Sequence, residues 1–407
     1  MVTKLLTGNA AAAWGVRLAD VDYVPAFPIT PQTEMIETLA GWFDGGEMRG
    51  RFVTLDSEHA MIIAAGAAAA TGVRTFTATS SQGLVYGLEA LYTVSGWRVP
   101  FVLANVSRGL SAPITLGPDH NDVLATRDAG LVQLHCETCQ EVLDAVLMAF
   151  RIAEDPRVSL PVLVNLDGFF LSFTREPVEI PDAELVRSFL PPFTAQGSTF
   201  RASHPVAQGV AALDAAAYSY FRYQLHRAAE NARVVHDEVA DEFQQLWGRR
   251  YDQLESYCLE DADLVLVMAG SFATKAKAMI AQWRSAGQRI GLLRPRLVRP
   301  FPGRAVAETL AGRRAVAVID QNLSPGLGGI LFQEVAAALS GLSGGRPSLH
   351  SFVGGLGGKD ISPAEFEYIA RTIQQPADSG DLPETHLLMT QGEWRQVQQW
   401  HEIAGKP

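Results

Sequence analysis

A chain of 407 residues, 47% hydrophobic and 19% charged, is longer than one hydrophobic core usually supports and too apolar to be disordered, so two or three globular domains are expected. Its formal net charge of −11 argues against a large phosphate-tracking surface, because nucleic-acid binders concentrate Lys and Arg. Three cysteines, Cys136, Cys139 and Cys258, are too few for a disulfide framework. No basic-then-apolar leader precedes Thr7-Gly8, and the longest apolar run, Met61 to Val73, falls short of the ~20 residues that span a membrane. No nucleic acid, no membrane and a cytoplasmic setting are therefore expected.

From Lys4 to Leu171 short β-branched runs alternate with helical patterns, which points to βαβ units and a mostly parallel sheet. Strands are predicted at Tyr23–Ala26, Phe52–Leu55, Thr75–Ala78, Phe101–Asn105, Leu131–His135 and Pro161–Asn165. A helix is predicted over Thr33–Phe43, where Met35, Ile36, Leu39, Ala40, Trp42 and Phe43 recur at helical spacing just after Pro31. A second is predicted over Gly83–Ser95, entered through the turn Ser80-Ser81-Gln82-Gly83. Between them, Asp56-Ser57-Glu58 opens a run, Ala60 to Ala70, so apolar and small-sided that its helix is expected to be buried nearly all round.

Beyond Phe189 the pattern changes to Pro191-Pro192 and then to a long helical stretch from Leu213 to about Tyr251, read as a connecting arm. A second βα series begins at Asp263, with strands Leu264–Met268, Arg289–Leu293 and Ala315–Ile319 and helices Thr274–Ala286 and Gly303–Leu310. A Trp-containing helix, Glu393–Ile403, is predicted near the end. The organisation expected is thus an α/β domain at 1–190, a linker and helical arm at 191–258, a second α/β domain at 259–375 and a tail at 376–407.

Several motifs carry only a structural reading. Gly354-Gly355-Leu356-Gly357-Gly358-Lys359 resembles a phosphate loop, but Val353 stands where the first Gly should be and Asp360 where a Ser or Thr would hold Mg²⁺. Ser324-Pro325-Gly326-Leu327-Gly328-Gly329 misses the dinucleotide spacing and reads as a strand-to-helix packing turn. Cys136-Glu137-Thr138-Cys139 lacks a second ligand pair, so these are read as helix-start residues, and neither a metal site nor an iron–sulfur cluster can be assembled from this chain.

Two residues invite chemistry. Glu58 could simply cap its helix. Alternatively, a carboxyl entering so apolar a helix is desolvated enough to share a proton with a heterocyclic nitrogen. Arg108 follows a strand at the edge where open α/β sheets bind ligands, and with Ser107, Gly109, Ser111 and Asp119-His120-Asn121-Asp122 it forms a polar loop where a guanidinium could fork onto a carboxylate.

Phe-Pro-Ile-Thr-Pro-Gln-Thr-Glu-Met at 27–35, Asp-Ser-Glu-His-Ala at 56–60, Thr-Phe-Thr-Ala-Thr-Ser-Ser-Gln-Gly-Leu at 75–84, Ser-Arg-Gly-Leu-Ser-Ala-Pro-Ile at 107–114 and Asp-His-Asn-Asp at 119–122 together resemble the α subunit of 2-oxoacid:ferredoxin oxidoreductases. The second βα series, ending in Gly-Gly-Leu-Gly-Gly-Lys-Asp at 354–360, is similar to the family's transketolase C-terminal-like domain. The resemblance implies a pyrimidine-type thiamine diphosphate domain followed by that second α/β domain.

The resemblance also implies roles. Glu58 matches the glutamate that hydrogen-bonds N1′ of the aminopyrimidine and favours its imino tautomer. Pro28, Ile29, Thr30, Ser81 and Gln82 match cofactor-contacting positions. Thr30, held in a turn by Pro28 and Pro31, and Arg108 match residues that meet the oxo-acid end and the carboxylate of the substrate, with Asp119, His120 and Asn121 in the same wall.

Leu166-Asp167-Gly168 is not the Gly-Asp-Gly motif that holds diphosphate and Mg²⁺. The resemblance therefore implies a thiamine diphosphate shared with a β subunit that carries the diphosphate-binding domain and Mg²⁺, plus γ and ferredoxin-like subunits with [4Fe-4S] clusters. The reaction implied is CoA-dependent oxidative decarboxylation of a 2-oxo acid, with electrons passed to ferredoxin or another acceptor. Phe27 and Asn121 stand where the family more often has Tyr and Ser, and Leu116-Gly117-Pro118 replaces a bulkier stretch. The substrate is accordingly open between a pyruvate-like and an aromatic 2-oxo acid such as phenylglyoxylate. A non-catalytic scaffold subunit is the alternative, and it predicts loss of the carboxyl or the arginine. A nicotinamide-dependent enzyme lacks its fingerprint.

Overall fold

The computed structural model describes residues 2–195, 199–209, 211–375 and 384–403. Of the tail read at 376–407, residues 376–383 and 404–407 lie outside the described residues. Two compact units make up the chain. The first runs to Glu255 and takes in Ala269–Ser271 and Pro295–Pro302; the second comprises Ser256–Met268, Phe272–Arg294 and the chain from Gly303 onward.

In the first unit, strands Phe76–Thr79, Val102–Ser107, Val162–Asp167 and Val132–His135 lie side by side in that order, parallel and buried along their whole length. Strands covered on both faces read as continuous apolar runs, which is why they were visible in the sequence to within two residues. Leu297–Arg299 closes one edge antiparallel to Val132–His135. Tyr23–Ala26 and Arg51–Thr54 form a separate parallel pair, tied to the sheet by a bridge from Tyr23 to Thr75. Val2–Thr7 and Arg175–Ile180 make an antiparallel ribbon that the sequence did not announce.

The helix Glu58–Ala70 starts where Ser57, in extended conformation, accepts a 3.2 Å bond from Ala60 N. Met61, Ile62, Ala65, Gly66, Ala69 and Ala70 are buried, whereas Ala60, Ile63, Ala64, Ala67 and Ala68 are half-buried. All-round burial is thus corrected to burial of one face. A helix apolar on every side carries no amphipathic contrast that would tell which face is covered. The helix expected at Gly83–Ser95 is two, Ser81–Tyr86 and Leu88–Gly96. They part at Gly87, where a Cβ would lie 2.2 Å from Ile62 Cδ1.

The segment read as an arm contains the helix Ala215–Trp247, capped by Asp214 and ended by Gly248 in the left-handed region at φ 73°. Leu225, Ala228, Ala232, Val235, Val239, Phe243 and Trp247 recur at helical spacing and lie in the core of the first unit. Phe243 packs on Trp247 with ring centroids 4.3 Å apart, and Phe189 meets both rings edge-on.

The second unit is a six-stranded sheet in the order Thr385–Leu387, Ser348–Val353, Ala315–Asp320, Leu264–Val267, Ile290–Pro295, Leu254–Tyr257. At the end of Ala315–Asp320, Asp320 accepts from Leu331 N and Phe332 N at 2.7 and 3.0 Å, and Asn322 accepts from Ile330 N at 2.8 Å. A Cβ on Gly329 would lie 2.0 Å from Asp320 Oδ2, so the glycine turn lets helix Ile330–Ser340 close on its strand. The Gly354–Lys359 turn contains a 3₁₀ turn, Leu356–Gly358, entered through Gly355 at φ 78°. Its Lys359 donates to Glu365 Oε1 at 2.6 Å.

Candidate active site

The C-terminal ends of the first unit's strands gather the residues singled out above. Ser81, the first residue of its helix, sits at φ 50°, a conformation that costs a non-glycine residue about 1–3 kcal/mol unless its surroundings hold it. Asp122 does so. Its Oδ2 accepts from Ser81 N at 3.0 Å, Asn105 Nδ2 at 3.1 Å and Arg108 N at 3.3 Å, while Oδ1 accepts from Ser107 Oγ at 2.9 Å and Val123 N at 2.7 Å. Burial pushes the Asp122 carboxyl up from its ordinary value, opposed by bonds from Asn105, Ser107, Val123 and Ser81.

Anchored in this way, Ser81 Oγ shares its single proton between Gln82 Oε1 at 2.6 Å and Gly109 O at 2.9 Å. Gln82 Oε1 also accepts from Arg108 Nη2 at 2.5 Å, and Arg108 Nη1 donates to Thr30 O at 2.7 Å. The 27–32 turn is itself fixed: Asn9 Nδ2 donates to Pro31 O at 2.9 Å and Gln32 Nε2 to Phe27 O at 2.8 Å. Arg108 is 8% exposed with its Nε unpartnered, and burial draws the guanidinium below its ordinary value.

Glu58 joins the group through Gly83. A Cβ there would lie 2.3 Å from Glu58 Oε1 and 2.6 Å from Thr79 Oγ1, so only a glycine leaves room for the carboxyl against the helix that begins at Ser81. Glu58 is 6% exposed, and no donor to its carboxyl occurs among the described residues. Thr79 Oγ1, Ser80 Oγ and Gln82 Nε2, along the same turn, are also buried without partners. Unsatisfied buried polar atoms are costly, so a concentration of them at one turn points to a ligand that supplies the missing donors and acceptors.

The Asp119-His120-Asn121-Asp122 stretch divides. Asp119 Oδ1 accepts from Asn121 N and Nδ2 at 3.0 and 2.9 Å, beside Gly109. His120 turns inward, where its Nε2 lies 2.7 Å from Asp167 Oδ1, and Asp167 Oδ2 accepts from Ser271 N and Oγ at 2.8 and 2.6 Å. Burial alone would lower the His120 imidazole, but the Asp167 carboxylate and its hydrogen bond raise it above its ordinary value, and Asp167 is correspondingly lowered. Sequence reasoning missed Asp122 as the anchor and Asp167 as the partner of His120. Apart from the bond of Asp122 to Val123 N, their contacts span 14 to 104 residues, and no local pattern announces them.

Pro28 and Thr30 are exposed and Ile29 is half-buried. The structure thus brings Thr30, Glu58, Ser81, Gln82 and Arg108 into one connected group, with Asp119 and Asn121 at its margin and His120 behind it. Thr138 caps the helix Cys139–Ala153, and burial raises the Cys139 thiol. No three His, Cys, Asp or Glu side chains among the described residues converge as a metal-binding group.

A buried carboxyl at a helix start thus lies at the strand ends of a parallel α/β unit, and a second α/β unit follows. Residues 14–241 match the family described as "Pyruvate flavodoxin/ferredoxin oxidoreductase, thiamine diP-bdg", and residues 262–366 match "Pyruvate:ferredoxin oxidoreductase core domain II". The chain is 39% identical to pyruvate synthase subunit PorA of Methanothermobacter thermautotrophicus, covering 93% of this chain and 97% of that protein. It is also 39% identical to ketoisovalerate oxidoreductase subunit VorA of Pyrococcus abyssi, covering 94% and 96%. The chain belongs to the thiamine diphosphate-dependent 2-oxoacid:ferredoxin oxidoreductase family.

Among solved structures, it superposes with a TM-score of 0.70 and 19% identity on a 2-oxoglutarate:ferredoxin oxidoreductase from Magnetococcus marinus, covering 92% of this chain and 65% of that one. It superposes with a TM-score of 0.52 and 11% identity on a split-gene transketolase, covering 89% and 96%. The fold is therefore a pyrimidine-type thiamine diphosphate domain followed by a transketolase C-terminal-like α/β domain. No helix among the described residues is long and apolar enough to cross a membrane.

Proposed function

We propose that this chain is the α subunit of a multisubunit enzyme that converts a 2-oxo acid and CoA to acyl-CoA and CO₂, passing electrons to ferredoxin or another acceptor. The observation that carries the reading is Glu58, a buried carboxyl with no donor among the described residues, given its place by Gly83. Thiamine diphosphate, when bound, supplies the carbanion stabilisation that the decarboxylation needs. Glu58 holds a proton between its carboxyl and a pyrimidine ring nitrogen, and its water-poor surroundings strengthen that bond. Gln82 Nε2, Thr79 Oγ1 and Ser80 Oγ are open to the same ligand, with Pro28, Ile29, Thr30 and Ser81 framing it.

Arg108 orients the 2-oxo acid. Thr30 O and Gln82 fix two of its N–H groups, which leaves Nε and the rest of the fork for the substrate carboxylate. Thr30 and the Asp119–Asn121 pair line the approach, while the His120–Asp167 pair braces the wall from behind. The names of the PorA and VorA relatives favour an aliphatic 2-oxo acid. An aromatic one such as phenylglyoxylate would find the loop before Asp119 carrying Ile114 and Leu116, both exposed.

The matched family description attaches thiamine diphosphate binding to this chain. In our reading this chain holds the pyrimidine, and a β subunit completes the site with the diphosphate grip and Mg²⁺. Engagement of Asp167 by His120 and Ser271 supports this division, because the aspartate of Leu166-Asp167-Gly168 is already occupied. γ and ferredoxin-like subunits would carry the [4Fe-4S] clusters. The test is to purify the native complex, identify its subunits and cofactors, and follow dye reduction with CoA and pyruvate, 2-oxoisovalerate or phenylglyoxylate. CoA-dependent reduction with one of the aliphatic acids is expected. A thiamine diphosphate-loaded complex inert toward all three would overturn the reading and favour a scaffold subunit.

A further inference from the structure

At the opposite end of the Tyr23–Ala26 strand from the candidate site lies a cavity of about 360 Å³, within the size range of small-ligand pockets. Three stretches far apart in sequence wall it, and each contributes one arginine: Arg17 at the end of helix Gly8–Leu18, Arg49 from the loop after helix Thr33–Asp44, and Arg187 from helix Ala183–Phe189. Such a grouping is unexpected in a chain of net charge −11.

Arg17 is immobilised. Its guanidinium carbon lies 5.1 Å from the Trp14 ring centroid and 4.9 Å from that of Trp42, and Nη1 donates to Glu47 Oε2 at 2.7 Å. Arg49 and Arg187 have no ion-pair or hydrogen-bond partner among the described residues. With Glu47 engaged by Arg17, Asp20 is the one other acid of the lining, and Leu18, Val21 and Met48 supply its apolar wall.

We propose that this cavity binds a small phosphate ester whose other end offers an apolar face and a hydroxyl or amino donor. A carboxylate is satisfied by one guanidinium fork, whereas a phosphate carries enough acceptor oxygens for forks arriving from separate elements. Arg49 and Arg187 take the phosphate, Asp20 accepts from the donor, and Leu18, Val21 and Met48 cover the apolar face. The site is independent of Glu58 and Arg108.

The test is isothermal titration of the native complex, saturated with thiamine diphosphate, using ADP, ribose 5-phosphate and pyrophosphate as separate arms and uncharged adenosine as the control. ADP or ribose 5-phosphate should bind saturably and weaken with added salt while adenosine does not bind, and binding of pyrophosphate alone would mark an inorganic-anion site and overturn the ester assignment. The double variant Arg49→Gln/Arg187→Gln alters two exposed side chains and should keep basal turnover, yet weaken binding by about 10–100-fold, the worth of charge-assisted hydrogen bonds. No saturable binding in any phosphate arm, or equal affinity in the double variant, overturns the proposal.

Discussion

The two α/β units share a strand-and-helix grammar but use the polar residues at their strand ends in opposite ways. In the second unit, Asp320 and Asn322 face the first three amides of helix Ile330–Ser340 and complete them, so the strand end is closed upon itself. In the first, Asp122 braces a backbone at φ 50° and an arginine, and around that brace Thr79 Oγ1, Ser80 Oγ, Gln82 Nε2 and Arg108 Nε remain without partners. Gln321, buried between Asp320 and Asn322 with both amide atoms unpartnered, is an exception at this strand end. Satisfied buried polar groups consolidate a fold, whereas a braced set with open valences is arranged for something that arrives later.

The largest effect is expected where the open valences are most concentrated. Glu58→Gln keeps the shape of the side chain but removes the exchangeable proton, so turnover of the assembled complex should fall by about 10²–10⁴. Acceptor reduction under saturating substrate reads this directly, and near-normal turnover with bound cofactor would remove Glu58 from its role. Next in size is the brace behind the wall. Asp167→Asn removes the counter-charge that holds the proton on the buried His120 imidazole, and breaking such a buried pair costs about 3–5 kcal/mol.

That pair also fixes the sign of a pH effect. His120 is raised from 6.5, so its contribution is complete below that value and fades as pH rises through the higher folded value. Asp167 is lowered from 3.8, so its contribution is complete above that value and fades only as pH falls through the lower folded one. Denaturant midpoints should therefore fall as pH rises above 6.5 in the wild type and flatten in Asp167→Asn. Parallel pH profiles would show that the pair carries no such charge.

How much of this was legible follows from how local each signal is. The buried strands and the helices Thr33–Asp44 and Gly303–Leu310 announced themselves by apolar periodicity within a dozen residues. The motif residues Thr30, Glu58, Ser81, Gln82 and Arg108 were singled out by local pattern, and the structure places them in one group. Three features were not legible: the break at Gly87, the covered face of Glu58–Ala70 and the ribbon of Val2–Thr7 with Arg175–Ile180. Each depends on what packs across from it, such as Ile62 against Gly87. The stripe of Ala215–Trp247 was present at helical spacing but lay among Arg, Glu and Gln, which favoured the reading of a connecting arm.

A smaller effect is expected at Arg108. Arg108→Ala removes a charge-assisted contact worth about 1.5–3 kcal/mol, so KM for the 2-oxo acid should rise about 10–100-fold while KM for CoA stays constant. Arg108→Lys sharpens the point, because an ammonium keeps the charge but cannot span Thr30 O and Gln82 while presenting a fork. Full recovery of KM by lysine would assign the residue a purely coulombic role, and an unchanged KM in Arg108→Ala would reject carboxylate binding.

The smallest effect is expected on the closed side of the comparison. Asn322→Ala removes the side-chain acceptor of Ile330 N, and loss of one such cap costs about 1 kcal/mol. Because the second unit's strand end satisfies its own helix, the loss should appear as a modest fall in the denaturant midpoint, with KM and turnover unchanged at a temperature where the fold is intact. A drop in turnover beyond what the lost folded fraction explains would mean that this strand end also serves chemistry, and the unpartnered amide of Gln321 would then be the first place to look.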